Sequence, residues 1–115
     1  MSIPVINLRV GNIIQNKSGH LVNIEVSTIS GILENIHEYD PILITHELLI
    51  KAGFSKIRNH HYVLNKWADY YFLFTGKIGL FYKVGCQGVG TPIKYFHELQ
   101  NALYYFDETV ITFKI

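Results

Sequence analysis

Cysteine is almost missing from this chain. Cys86 stands alone among 115 residues, which rules out an internal disulfide and is compatible with a reducing compartment. Charge is sparse as well: 17% of residues, ten basic against nine acidic, for a formal net charge of +1. No run of Lys or Arg occurs, so the electrostatic footprint of a duplex-DNA binder is absent and duplex DNA is not expected as a partner. No apolar run approaches the roughly 20 residues that span a bilayer. Met1, Ser2, Ile3, Pro4 and Val5 show no basic region leading into an apolar core, the mark of a signal peptide. The expectation is a cytoplasmic protein that does not engage a membrane.

What the chain has in quantity is apolar and aromatic surface, at 49% and 14% of residues. A single domain of this length can bury a core without metal or disulfide. A possible subdivision places a small β unit at 1–40 and an α+β unit at 41–115. So many Tyr and Phe exceed what one small core hides, leaving a contact surface or scattered half-exposed rings.

Alternating β-branched residues predict strands over 8–15, 21–26 and 29–36, the opening of a small SH3-like barrel. Asp40 and Pro41 break that sheet. Thr45 as N-cap, Glu47 in the first turn and Gly53 beyond the end predict a two-turn helix, with Phe54 closing it. Aromatic-rich runs over 57–64, 70–75 and 78–84 predict a β-meander, followed by a glycine-rich loop at 85–90. Thr91 and Pro92 carry the signature of a helix start, and the spacing predicts an amphipathic helix to Phe106 with Phe96, Leu99, Leu103 and Phe106 inward. Alternation after Thr109 predicts a last strand. The fold class is α+β, a mostly antiparallel sheet with two helices packed on it.

The polar side of that long helix is unusual. His97, Gln100, Asn101 and Tyr104 fall at i, i+3, i+4 and i+7 and share one face, with Lys94 beside them. None of the four is a fixed charge, and all hydrogen-bond in both directions. Such a stripe either binds a peptide, a base or a small polar ligand, or satisfies backbone groups inside the fold. Catalysis by His97 with Tyr104 lacks a carboxylate on the same face, since Glu98 points about 100° away.

Three pieces of the chain resemble a group of small uncharacterised proteins encoded by bacteriophages and mobile elements of gut bacteria. The first is Arg9, Val10, Gly11 and Asn12. The second spans 41–54, where Thr45, Glu47, Leu49, Lys51, Gly53 and Phe54 match a Thr-x-Glu-x-Leu-x-Lys-x-Gly-Phe pattern. The third spans 93–101, where Ile93, Tyr95, His97, Leu99, Gln100 and Asn101 match Ile-x-Tyr-x-His-x-Leu-Gln-Asn. Together they cover about a quarter of the chain. The tail after Phe106 departs from that group's Thr-Gly-Glu ending. The resemblance implies a bacterial or phage cytoplasmic setting and carries no activity.

Other chemistry is thin. Gly85 and Gly90 have the glycine spacing of a phosphate loop, but the lysine is missing and Pro92 removes a donor. Cys86 has no indicated oxyanion hole, and His60 and His61, adjacent on a strand, would face opposite ways. No catalytic residue, metal site or cofactor is assigned. Tyr62, Trp67, Tyr70, Tyr71, Phe72 and Tyr82 are the candidate aromatic contact surface. The expected function is a non-enzymatic protein-interaction module, accessory or regulatory, holding an unknown protein partner and self-associating as a homo-oligomer. The alternatives are single-stranded nucleic-acid binding by stacked rings and a small enzyme using His97.

Overall fold

The computed structural model describes residues 8–64, 67, 69–85 and 87–114. The chain forms two units, one from residues 1–43 and 95–115, the other from 44–94. The long helix therefore belongs with the N-terminal strands, whereas the subdivision read from sequence keeps it with the meander.

In the first unit, β1 (Ile13–Asn16) pairs antiparallel with β2 (Leu21–Asn23) on one side and β3 (Tyr39–Asp40) on the other. Ile13 and Ile14 are both fully buried, so β1 is covered on both faces. The expected third strand is instead helix α1 (Ile29–Glu34), followed by a 3₁₀ turn at Ile36–Glu38. The reason is spacing: Ile29, Ile32, Leu33 and Ile36 sit at i, i+3, i+4 and i+7, which puts them on one helical face. All four pack with Leu8, Ile14 and Ile24 in one cluster.

Helix α3 (Phe96–Asp107) runs beside β1, with Phe96, Leu99 and Leu103 buried. It begins four residues later than Thr91 and Pro92 suggest, and Phe106 is exposed rather than inward. Its entry is set by pairing, not by a side-chain cap: Leu43 bridges Tyr95, and the Phe96 amide donates to the Ile42 carbonyl at 2.8 Å. After Glu108, left-handed at φ 50°, the expected final strand has no ladder among the described residues. The alternation persists all the same, with Thr109, Ile111 and Phe113 buried and Val110, Thr112 and Lys114 exposed.

The second unit is a five-stranded antiparallel meander in sequence order: β4 (Ser55–Arg58), β5 (His61–Val63), β6 (Tyr70–Phe74), β7 (Ile78–Tyr82) and β8 (Gly88–Ile93). The run expected as one strand over 57–64 folds back at Asn59 and His60, with His60 left-handed at φ 64°. Thr91 and Pro92 lie in β8. That strand is a sheet edge, where the missing proline N–H costs no ladder bond. Helix α2 (His46–Lys51) matches expectation at both ends. Thr45 Oγ1 accepts from the Leu48 amide at 3.2 Å. Gly53, at φ 102°, donates to Ile50, and Phe54 donates to Leu49 at 3.0 Å, closing the helix as a Schellman motif.

Candidate functional site

The amide stripe of α3 is buried and tied to the first piece of chain. Gln100 uses its whole hydrogen-bonding capacity. Its Oε1 accepts from the Ile13 amide at 3.0 Å and from Asn12 Nδ2 at 3.4 Å. Its Nε2 donates to the carbonyls of Gly11 at 3.0 Å and Ile111 at 2.9 Å. Asn101 Oδ1 accepts from Asn12 Nδ2 at 2.9 Å and from Arg9 Nε at 3.0 Å. The Arg9 guanidinium also lies 4.2 Å from the centre of the Tyr104 ring, a cation–π contact that covers it. Gly11, at φ 95°, makes the turn that delivers Asn12, itself fully buried, to the helix.

The first and third pieces of the resemblance thus meet in one network. That network does what fold-closing polar groups do: it satisfies backbone amides and carbonyls outside any ladder. It fixes the amino-terminal turn, β1 and the tail to α3. Lys94 belongs to the other unit.

His97 shares the stripe but not its bonds. Its side chain is 1% exposed, and neither ring nitrogen has a hydrogen-bond partner among the described residues. Loss of water from around the ring pushes its pKa down to about 4, so it is neutral at physiological pH. It stacks loosely with Tyr95, with centroids 6.4 Å apart and planes within 19°. Sealed His97 and capped Tyr104 do not present a shared surface to a substrate.

The expected aromatic contact surface is corrected in the second unit. Tyr62, Trp67 and Phe72 are core, at 0%, 3% and 1% exposure, with Phe72 packed edge-on against Phe54 at 5.0 Å. Burial also raises the Tyr62 pKa, and its hydroxyl hydrogen-bonds His46 Nδ1. The Tyr82 side chain lies outside the described residues, as do Cys86 and its place in the glycine-rich loop. Tyr70 is half-buried, edge-on to Trp67.

Tyr71 belongs to the opposite face. Strand alternation puts Tyr62, Phe72, Phe74 and Ile78 inward, and turns His61, Tyr71, Leu73 and Phe81 outward. Tyr71 and Phe81 are directly paired across β6 and β7 and stack at 5.3 Å with planes 13° apart. His61 stacks on Tyr71 at 5.5 Å and 25°. The three rings form a continuous row across three strands. Phe81 leans over bare backbone, since a Cβ on Gly79 would stand 3.1 Å from its Cε1.

Two shallow grooves flank this row. One, about 320 Å³, is lined by Ile57, Arg58, His61, Tyr71 and Lys83. The other, about 440 Å³, is lined chiefly by Leu73, Lys77, Phe81, Pro92 and Lys94. All four cations are exposed, and neither lining contains an acid. At the strand end the Asp69 carbonyl accepts the Lys83 amide at 2.9 Å.

Charge divides the same way. Residues 44–94 carry seven Lys and Arg against two Asp and Glu, a formal +5; the rest of the chain carries three against seven, a formal −4. The near-neutral total conceals a cationic unit. Arg58, His61, Lys77 and Lys83 are not among the site residues the sequence singles out. A charge count by segment, combined with period-two alternation through Tyr71–Leu73 and Phe81–Lys83, carries the signal that finds them.

Among the described residues, no group of three or more His, Cys, Asp and Glu is placed to hold a metal ion. No helix among them is long and apolar enough to cross a membrane. No protein family, curated protein or solved structure matches the chain.

Proposed function

We propose that the chain is a non-enzymatic binding module that takes single-stranded nucleic acid on the outer face of its five-stranded sheet. The observation that carries this reading is the coincidence of the His61–Tyr71–Phe81 row with exposed Arg58, Lys77, Lys83 and Lys94, in a unit of formal charge +5. Unpaired bases present flat π-faces and an anionic backbone, and a ring row rimmed by cations complements both. A duplex offers its phosphates but keeps its bases stacked inside. In a phage or mobile element, the setting the resemblance implies, such a module serves as an accessory or regulatory protein.

Fluorescence anisotropy with labelled oligo-dT and oligo-U at low salt tests the reading. Binding is expected, with same-length duplex competing poorly. Phe81→Ala lowers affinity about 5- to 150-fold, the range for losing one base–aromatic stack at about 1–3 kcal/mol. Absence of binding, or inorganic polyphosphate competing as well as oligonucleotide, would reject it.

A protein-contact reading has an observation of its own in the other unit. Tyr105, Phe106 and Val110 stand 74%, 53% and 69% exposed at the end of α3 and just beyond it. If that patch joins two copies, light scattering gives a mass that rises with concentration, and Phe106→Ser returns it to the monomer. A constant monomer mass in the wild type discards self-association.

A further inference from the structure

The two grooves lie on opposite sides of one ring pair, and that arrangement says how a strand would run. The first groove has Tyr71 and His61 as its rings, with Arg58 and Lys83 as its cations. The second has Phe81 as its ring, with Lys77 and Lys94 as its cations. Between them stands the stacked Tyr71–Phe81 pair, an apolar ridge without charge. On the far side of Phe81 the floor is backbone: Gly79 on β7 and Gly88 on β8 lie under its ring, where added Cβ atoms would approach to 3.1 Å and 3.5 Å. The lack of side chains at both positions lets the Phe81 ring pack directly on the sheet backbone.

We propose that the outer face carries two nucleotide subsites, one on each side of the Tyr71–Phe81 pair, so that a single strand crosses the sheet from β5 toward β8 with phosphates held at both cation pairs. This rests on the nucleic-acid reading above and adds a path and a minimum length to it. A mononucleotide fills only one subsite. An oligonucleotide long enough to bridge the ridge engages both, and the second contact is then intramolecular and raises affinity by effective concentration.

The test is a salt titration of oligo-dT binding to the full chain, in the wild type and in two double variants, Arg58→Ala with Lys83→Ala and Lys77→Ala with Lys94→Ala. For single strands the slope of log K against log salt is about −0.7 per phosphate contact, so four contacts give about −3. Each double variant should bring that to about −1.5, and the quadruple variant to near zero. In a length series, affinity should rise steeply once the strand spans both grooves, and that step should vanish in either double variant. Circular dichroism on each variant confirms that the exposed substitutions leave the fold intact. If the wild type binds but one cation pair leaves slope and length step unchanged, the two-subsite inference falls while the nucleic-acid reading stands. If the wild type binds no oligonucleotide at low salt, both fall.

Discussion

Replacing Gln100 with leucine should lower the free energy of unfolding by about 3–5 kcal/mol, enough to unfold a marginal domain of this size. Leucine fills similar space but abandons the Ile13 amide, Asn12 Nδ2 and the carbonyls of Gly11 and Ile111. Three of these are backbone groups with no ladder to return to, and a buried orphan costs about 1–3 kcal/mol. Gln100→Glu should be nearly as damaging. It keeps the acceptor toward Ile13 but turns a carboxylate oxygen on two carbonyls, where nothing can donate. Urea unfolding monitored by circular dichroism measures both. A Gln100→Leu protein within about 1 kcal/mol of wild type would mean that the network is dispensable to the fold and that its amides serve something else.

The parts of this fold that were legible in the sequence are those decided locally. Thr45, Gly53 and Phe54 each act within one helical turn, so cap and closure could be read from spacing alone. The alignment of His97, Gln100, Asn101 and Tyr104 on one helical face was readable for the same reason. What they face was not, because Arg9, Asn12 and Ile13 lie about ninety residues away in the chain. Ile29 to Ile36 misleads because β-branched composition favours strand while the i, i+3, i+4, i+7 spacing favours helix; packing against Ile14 and Ile24 decides. Thr91 and Pro92 are ambiguous by nature, since proline suits both a first helical turn and an edge strand, and only sheet order distinguishes them. The candidate nucleic-acid face was hidden twice. Aromatic richness does not say which rings face inward, and a net charge of +1 averages two units of opposite sign.

His97 predicts the other large effect, and it depends on pH. In the unfolded chain the imidazole titrates near its ordinary value of 6.5; in the folded chain burial holds it near 4. Above pH 6.5 both states are neutral and the ring contributes no pH dependence. Between pH 6.5 and 4 the unfolded state binds a proton that the folded state refuses, so stability falls as pH falls. Below 4 both states are protonated and this contribution levels off. The gap of about 2.5 units corresponds to roughly 3 kcal/mol lost across the window, at about 1.4 kcal/mol per unit. His97→Leu should remove that loss. It should also cost little at pH 8, because it replaces a ring whose two nitrogens have no partner among the described residues by an apolar side chain of similar volume. Carboxylates and the other five histidines titrate in both proteins, so the quantity to compare is the difference between wild type and variant in urea unfolding from pH 8 to pH 4. A difference that grows by about 3 kcal/mol toward acid places the neutral imidazole inside the fold. Parallel curves would mean that His97 is solvated or paired.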